Sequence, residues 1–330
     1  MKTVRRAVID VGTNSIKLLV ADVAGHRMQP VWEGSKQTRL GRGFYQTHRL
    51  QTSAIVQTAA AVAEFAAEAR KLRVDWLRII ATSAAREAIN AEELSVAIER
   101  QAGLKVDILS GAEEADLVFA GVTTDAALAR NPLLLLDVGG GSTEFILGHG
   151  SRKDFRASFA LGSVRLLEML PHSDPPTREE LQACRQWVEA FLRTEVQPKI
   201  AAGGARLPAV HSVSSTSDRL ILVGTGGTAT ILARIEAELT EFDRLQIEKV
   251  RLGLDRLKWH VQHLWSLPLE ERKQVIGLPP NRADVILTGA LIFETVMDSF
   301  AFSELRVSTR GLRFAAVLDA GALDSSSVRS

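Results

Sequence analysis

The sequence predicts an α/β fold, in which β-strands and α-helices alternate along the chain. Short apolar runs rich in β-branched residues recur between glycine-containing turns, as in the opening segment 4–23. Alanine-rich segments with apolar residues at helical spacing follow them, most clearly at 53–72. An apolar run with a Gly/Ser turn returns at 133–149, 127 residues after its first copy. These observations together indicate a duplicated α/β unit.

The composition is that of an ordinary globular chain of about two domains. Of 330 residues, 46% are hydrophobic and 24% charged, which excludes disordered, collagen-like and coiled-coil classes. The 40 Lys and Arg residues nearly balance 39 Asp and Glu residues, giving a net charge of +1. The net charge is therefore too small to attract nucleic acid or a membrane surface electrostatically, and we expect neither as a partner. Any anion site must be local.

The cysteine content and the N-terminus favour a cytoplasmic protein. Cys184 is the single cysteine, so no internal disulfide can form, and we interpret it as a small core residue. The seven histidines have no ligand or triad pattern that we assign. The opening MKTVRRAVIDVG reads as a first strand, because its apolar run reaches an acid after three residues. No apolar stretch is long enough to span a bilayer.

The first half of the chain alternates strands and helices. Apolar runs on both sides of Gly-Thr-Asn-Ser predict a strand, a turn and a second strand. High alanine content strengthens the first helix, and Ser110-x-x-Glu113 has the form of a capping box that starts another. The predicted elements are two strands within 4–23, a strand at about 28–33, a helix at 53–72, a strand at 76–84, a helix at about 91–102, a strand at 105–109 and a helix from Ser110.

The second half opens with the returning motif and continues in the same alternation. Apolar periodicity distinguishes its helices from its shorter apolar strands. The predicted elements are a strand pair within 133–149, a helix at 177–202, a loose loop at 203–218, a strand at 220–226, helices to about 298, a strand at 305–311 and a closing helix from Leu312. The tail from Leu323, with three consecutive serines, is expected to fray.

Short Gly/Ser/Thr turns at three places could present backbone N–H groups to a phosphate. Glycine lets the main chain approach an anion, and hydroxyl groups add donors. A single turn of this kind is usually a tight hairpin, but three of them, two with an acid at the strand end, favour phosphate binding. The candidate phosphate-binding residues are Gly12, Thr13, Asn14, Ser15, Gly139, Gly140, Gly141, Ser142, Gly226, Gly227 and Thr228.

Carboxylates beside phosphate turns would repel the substrate unless a cation lies between them. Mg²⁺ meets this need, because it binds one or two carboxylates, water and phosphate oxygens. Asp10, Asp137 and Glu144 are the candidate metal ligands. The alternative for Glu144 is an exposed strand residue.

Glu113 and Glu114 are separated in role by the predicted capping box. If Glu113 reaches back to the Ser110 N–H, its carboxylate is occupied, and Glu114 is left to hold and deprotonate a water. Glu114 is therefore the candidate general base. The alternative is that both are first-turn acids favoured by the helix dipole.

Arginines near the predicted strand ends could bind phosphate. Arg86 follows the strand at 76–84, and open α/β sheets bind ligands at the carboxyl ends of their strands. A surface arginine is the alternative. Arg39 and Arg42, in the segment TRLGRG, could extend this positive surface.

The chain resembles the Ppx/GppA phosphatase family of exopolyphosphatases and guanosine pentaphosphate phosphohydrolases, along nearly its whole length. The shared turns are AVIDVGTNSIKLLV, LLLDVGGGSTEFI and VGTGGTAT. More specific are ATSAAREA, ILSGAEEADLVFAGV, NRADVILTGALIF and VSTRGLRFAAVL. The resemblance implies two actin-like (ribonuclease H-like) domains of the actin, sugar kinase and chaperone ATPase superfamily, with magnesium and a phosphate chain in an interdomain cleft. We expect domain I at 1–126, joined by a C-terminal helix at about 311–322, domain II at 127–310 and a frayed tail at 323–330.

The same resemblance implies catalytic roles for Glu114 and Glu144, a magnesium-associated Asp137 and a phosphate-binding Arg86. It implies Mg²⁺-dependent hydrolysis of the terminal phosphoanhydride of inorganic polyphosphate, pppGpp or both. An ATP-dependent kinase or ATPase of this superfamily and a non-catalytic alarmone sensor are the alternatives. The motif GLRFAA lacks the acid that many relatives have after the arginine. The motifs shared with the family end near residue 320, and the resemblance does not extend to the helical C-terminal region of longer members, so we expect weak processivity. Whether the protein forms a homodimer stays open.

Overall fold

The computed structural model describes residues 2–204 and 220–319. The loop predicted at 203–218 lies outside these residues except for its first two positions. The tail from Leu323 and the last residues of the predicted closing helix also lie outside them.

Strands and helices alternate as the sequence predicts. The strands are β1 (Val4–Val11), β2 (Ser15–Ala24), β3 (Arg27–Gln37), β4 (Trp76–Ala81), β5 (Val106–Ile108), β6 (Leu133–Val138), β7 (Thr143–His149), β8 (Arg152–Phe159), β9 (Ile221–Thr225), β10 (Arg251–Gly253) and β11 (Glu304–Val307). The helices are α1 (Thr52–Lys71), α2 (Ser83–Glu87), α3 (Ala91–Ala102), α4 (Gly111–Val122), α5 (Ala126–Ala129), α6 (Ser163–Met169), α7 (Arg178–Phe191), α8 (Gln197–Ala202), α9 (Gly226–Glu236), α10 (Arg244–Lys249), α11 (Leu254–Ser266), α12 (Leu269–Arg272), α13 (Ile286–Ser299) and α14 (Leu312–Leu318).

The chain divides into two compact units. The first comprises Met1–Gly121 and the closing segment from Leu312, and the second comprises Val122–Gly311. The domain boundary expected between residues 126 and 127, and the actin-like nature of each domain, stay predictions.

The first unit is built on a sheet of order β3-β2-β1-β4-β5. Strands β1 to β3 form an antiparallel meander, and β1, β4 and β5 run parallel. The last residues of these three strands are partners in the sheet: Val11 of β1 pairs with Ala81 of β4, which pairs with Ile108 of β5. The three parallel strands therefore end at the same edge of the sheet. The segments that follow β1, β4 and β5 therefore emerge side by side.

The second unit repeats this topology in a sheet of order β10-β11-β9-β6-β7-β8. Strands β6, β7 and β8 form the equivalent meander, and β6, β9 and β11 run parallel. Strand β10 adds an antiparallel edge. The duplication predicted from the returning Gly/Ser motif is confirmed by the two sheets.

Each sheet is covered by apolar helices. Helix α13 is the centre of the second core, and its residues from Ile286 to Met297 are all buried. In the first unit, alanine and larger apolar residues of α1 pack with α3, and α14 lies against β1 and β2. Cys184 is buried in the second core, as expected, and this burial raises the pKa of its thiol to about 12.

The structure corrects several predicted boundaries. Strand β4 ends at Ala81 rather than at residue 84, because a short helix starts at Ser83, with the Arg86 N–H donating to the Thr82 carbonyl. Strand β11 ends at Val307 rather than at residue 311. The continuous helix predicted at 177–202 contains a π-helical turn, Leu192–Val196.

Several elements of the second unit have no counterpart in the sequence prediction, among them β8, α6 and the short edge strand β10, which lies within the region 227–298 predicted to be helical. Strand β8 is an edge strand with polar residues at alternate positions, and it lacks the continuous apolar run of a central strand. Helix α6 has seven residues, too few for a clear periodic pattern.

Arg272 is the largest fully buried side chain among the described residues. Its guanidinium donates to the carbonyl oxygens of Leu264 (3.0 Å), Leu267 (2.7 Å) and Ala283 (3.0 Å). Burial lowers the pKa of this group. Arg272 therefore ties the end of α11 to the segment that precedes α13.

We predict that Arg272→Met destabilises the protein by about 2–4 kcal/mol, because three carbonyl oxygens lose a donor in a buried place. Arg256→Met is the matched control, since the Arg256 side chain is half exposed and pairs with Glu236. It should cost less than about 1 kcal/mol. Urea denaturation measures both, and equal losses would contradict the structural role of Arg272.

Candidate active site

The first phosphate turn closes the hairpin between β1 and β2. The Gly12 N–H donates to the Ser15 carbonyl at 3.1 Å. The side chains of Thr13, Asn14 and Ser15 are buried. Among the described residues, Thr13 Oγ1, Asn14 Nδ2 and Ser15 Oγ have no hydrogen-bond partner. Buried polar atoms normally have one, so this turn is suited to a bound anion or ordered water.

The carbonyl oxygens of this turn are held by the segment that follows β3. The Gly41 N–H donates to Thr13 O at 2.7 Å, and the N–H groups of Thr38 and Arg39 donate to Asn14 O. Arg39 has a positive φ of 51°, which few side chains adopt. Arg39, predicted as part of a positive surface, thus acts on the turn through its backbone, and Arg42 is exposed.

Asp10 lies at the end of β1, directly opposite Lys17 on β2. Burial raises the pKa of Asp10, and the positive charges of Lys17 and Arg313 oppose that rise. The first turn therefore has one acid whose charge is offset by cations of its own unit.

The predicted capping box at the start of α4 is confirmed. The Ser110 N–H donates to Glu113 Oε2 at 2.8 Å, and the Glu113 N–H donates to Ser110 Oγ at 3.2 Å. Hydrogen bonding with the Ser110 side chain, and then with its backbone, lowers the pKa of Glu113. The Glu113 carboxylate is occupied as a helix cap.

Glu114 is buried on the same helix and is held by Arg86. An Arg86 Nη1–H donates to Glu114 Oε2 at 2.8 Å and to the Leu109 carbonyl at 2.9 Å. The expectation of an unengaged Glu114 is wrong in this respect. Arg86 follows β4 and Glu114 follows β5, so the parallel register of these strands brings them together.

The second phosphate turn has the hydrogen bond of the first. The Gly139 N–H donates to the Ser142 carbonyl at 2.9 Å, in the hairpin between β6 and β7. The carbonyl oxygens of this turn accept hydrogen bonds from the first residues of α6, the helix that follows β8. Gly162 packs so tightly on this turn that a Cβ atom would lie 2.5 Å from Gly140 O.

Asp137 and Glu144 are directly opposite each other on β6 and β7. Cross-strand partners in an antiparallel pair lie on one face of the sheet, so the two carboxylates are neighbours. Glu144 is 1% exposed, and its Oε1 accepts from Ser142 Oγ (2.9 Å) and Ser158 Oγ (2.7 Å). The alternative of an exposed strand residue is wrong.

The third turn packs against the second at the edge of the same sheet. Gly226 has a positive φ of 82°, and a Cβ atom there would lie 2.2 Å from Asp137 Oδ1. Thr228 Oγ1 donates to the Val138 carbonyl at 3.2 Å. Gly227 lies near Arg282, whose Nη2 would be 3.5 Å from a Cβ atom at this position. The structure thus places Gly226 to Thr228 beside Asp137.

The two copies of the duplicated motif differ in charge at equivalent positions. Lys17 lies opposite Asp10 in the first copy, and Glu144 lies opposite Asp137 in the second. An Asp–Lys pair is internally neutralised, whereas an Asp–Glu pair attracts a cation. Thr225 Oγ1, on the strand beside Asp137, is buried without a hydrogen-bond partner in the described part of the chain.

Sequence reasoning missed the segments that hold the turns. A Leu-Gly pair follows the third strand of each copy, as Leu40-Gly41 and Leu161-Gly162. Both glycines lie against their turn, since a Cβ atom at Gly41 would be 2.3 Å from Thr13 Cγ2. This repeated Leu-Gly pair was the sequence signal from which the two turn-holding segments could have been predicted. Arg165 donates to the second turn, but the first copy has no equivalent arginine, so comparison of the two copies could not identify it.

The described residues contain neither a cluster of metal-ligating side chains nor a helix suited to cross a membrane. No group of three or more His, Cys, Asp or Glu side chains could hold a metal ion there. No described helix has the length and apolar character required to cross a membrane.

Comparisons with known proteins agree with these features. The model of the Ppx/GppA phosphatase family matches residues 19–320. Exopolyphosphatase 2 of Mycobacterium tuberculosis is 34% identical over 309 residues, which are 89% of this chain and 90% of that protein.

Solved structures show the same fold. The crystal structure of an exopolyphosphatase-like protein is 29% identical, with a TM-score of 0.83 over 97% of this chain and 98% of that one. The Aquifex aeolicus Ppx/GppA protein is 28% identical, with a TM-score of 0.76 over 99% and 100%. The predicted α/β fold is confirmed, and the chain belongs to the Ppx/GppA phosphatase family.

Proposed function

We propose that this phosphatase hydrolyses the terminal phosphoanhydride bond of inorganic polyphosphate and releases phosphate, with Mg²⁺ as its cofactor. The observation that carries the proposal is the Asp137–Glu144 pair beside a glycine turn, because carboxylates at a phosphate site require a cation. The similarity to an exopolyphosphatase over most of both chains supports polyphosphate as the substrate class.

The residues of the first unit prepare the attacking water. Glu114 accepts a proton from the water, and the ion pair with Arg86 fixes its carboxylate at the edge where β4 and β5 end. Arg86 also binds a phosphate oxygen of the substrate, because a guanidinium presents several N–H donors to an anion. The N–H groups and buried hydroxyls of Gly12 to Ser15 bind phosphoryl oxygens.

The residues of the second unit would hold the metal. Asp137 and Glu144 supply the hard oxygen donors that Mg²⁺ prefers, and one or two carboxylates suffice when water and phosphate oxygens complete the shell. When bound, the ion would neutralise the phosphoryl oxygens. Asp10 is a further candidate ligand, weakened by the opposite charge of Lys17. Gly139 to Ser142 and Gly226 to Thr228 bind phosphate through the backbone.

Guanosine pentaphosphate has the same kind of terminal bond and is the second substrate to test. Phosphate release from polyphosphate and from pppGpp, each with Mg²⁺, is the deciding experiment. Phosphorylation of an acceptor by ATP would favour a kinase. Tight nucleotide binding without phosphate release would favour an alarmone sensor.

We predict that Glu114→Gln lowers kcat by roughly 10²- to 10⁴-fold and leaves substrate affinity largely unchanged, because the general base is lost and the shape is kept. Glu113→Gln is the matched control on the same turn of α4. Glutamine is accepted at this cap position, so kcat should change much less. Steady-state kinetics on polyphosphate measures both variants, and the reverse order would assign the base to Glu113.

The lowered pKa of Glu113 predicts a pH-dependent contribution to stability. Because the folded pKa lies below the unfolded value, the contribution is present above about pH 4.3 and is lost as the pH falls through the folded pKa. Glu113→Gln should therefore lower the free energy of unfolding at pH 7, and this loss should become smaller as the pH falls below about 4.3. Urea denaturation at a series of pH values measures it, and a stability difference that does not change with pH would contradict this assignment.

We predict that Asp137→Asn and Glu144→Gln raise the Mg²⁺ concentration needed for half-maximal activity by at least about tenfold and lower kcat, because each removes a charged donor. EDTA should abolish wild-type turnover. Asp125→Asn, at a helix cap of the same unit, is the control and should leave the titration unchanged. Full activity in chelator, or an unchanged titration in Glu144→Gln, would remove the metal role.

A further inference from the structure

The second phosphate turn is fixed through its carbonyl oxygens. The Ser163 N–H donates to Gly139 O at 2.9 Å, and the N–H groups of Val164 and Arg165 donate to Gly140 O at 2.8 and 3.0 Å. The Arg165 Nε–H donates to Gly141 O at 2.7 Å. Three consecutive carbonyl groups of the turn are thus held by residues 163–165.

This arrangement also fixes the direction of the N–H groups. In a planar trans peptide, the C=O of one residue and the N–H of the next point in opposite directions. The carbonyls of Gly139, Gly140 and Gly141 are directed to the α6 segment, so the N–H groups of Gly140, Gly141 and Ser142 are directed away from it. A row of such N–H groups forms an anion-binding concavity.

The three carbonyls are not held equally. Gly139 O accepts from the Ser163 N–H and, at 3.3 Å, from Ser163 Oγ, and Gly140 O accepts from two backbone N–H groups. Gly141 O is held by the side chain of Arg165, which is 8% exposed. The orientation of the Gly141–Ser142 peptide therefore depends on one side chain.

We propose that Arg165 is a positioning residue that holds the Gly141–Ser142 peptide so that the Ser142 N–H donates to a phosphoryl oxygen of the substrate. This inference rests on the proposed phosphoanhydride hydrolysis. Arg165 itself acts through the turn and makes no contact with the substrate. The buried position of Arg165 suits this role, because water competes less for the hydrogen bond to Gly141 O than it would at an exposed side chain.

Two substitutions of Arg165 separate this hydrogen bond from packing and charge. Arg165→Gln keeps an N–H donor at the fourth side-chain position, where arginine has Nε, but removes the charge. Arg165→Met places a methyl group at that position. Ser163→Ala is the control in the same segment, because Gly139 O keeps its backbone donor.

We expect Arg165→Met to lower kcat/KM for polyphosphate by about 10- to 100-fold, as for a lost oxyanion donor. Arg165→Gln should retain at least about half of the wild-type value, and Ser163→Ala should match wild type. The Mg²⁺ concentration for half-maximal activity should stay within about twofold in all three, since Ser158 still holds Glu144. Equal losses in Met and Gln variants, or a shifted Mg²⁺ requirement, would overturn the proposal.

A binding measurement keeps the inference separate from the proposed function. Titration of ¹⁵N-labelled wild-type protein with inorganic phosphate should shift the Ser142 amide resonance, and Arg165→Gln should keep that shift. Loss of the Ser142 shift in Arg165→Met, with the Gly140 shift retained, supports the proposal even if polyphosphate is not hydrolysed. If Arg165→Met does not fold, an unshifted Ser142 amide in wild type or in Arg165→Gln overturns it.

Discussion

The candidate site depends on where the carbonyl oxygens of two hairpin turns find their donors. A peptide unit has its donor and acceptor on opposite sides, so a bond to one side sets the direction of the other. In each unit, the segment after the third strand donates to the turn carbonyls, through residues 38–41 or 163–165. The sheet determines where each turn lies, and these segments determine the direction in which the N–H groups of the turn point.

The duplication explains why two turns have the same hydrogen bond but different chemistry. Equivalent strands place Asp10 and Asp137 at equivalent ends, and the partner across the hairpin is Lys17 in one copy and Glu144 in the other. A cation opposite the acid suits direct contact with phosphate. A second acid suits a metal-mediated contact. Under the proposed function, this one exchange of charge would give the copies different roles while the backbone geometry is kept.

Much of the fold and of the candidate site could be predicted because it depends on local patterns. The strand–turn–strand motifs, the Ser110–Glu113 cap and the position of Asp137 and Glu144 on adjacent strands follow from residues close in sequence. The Arg86–Glu114 pair joins segments that follow different strands, and only the register of β4 and β5 brings them together. Arg165 was missed for a related reason, since its acceptor is a backbone atom 24 residues away, and backbone acceptors have no sequence signature.

The return of α14 to the first unit has a consequence for the order of folding. The Arg313 guanidinium donates to the Leu18 carbonyl, and Arg6 donates to the Val317 carbonyl, so α14 is bound to β1 and β2, which lie about 300 residues earlier in the sequence. The second unit is a continuous segment, Val122–Gly311, inserted between them. During synthesis it can complete its core while the first sheet still lacks its final helix. The first unit therefore becomes complete last, although its strands leave the ribosome first.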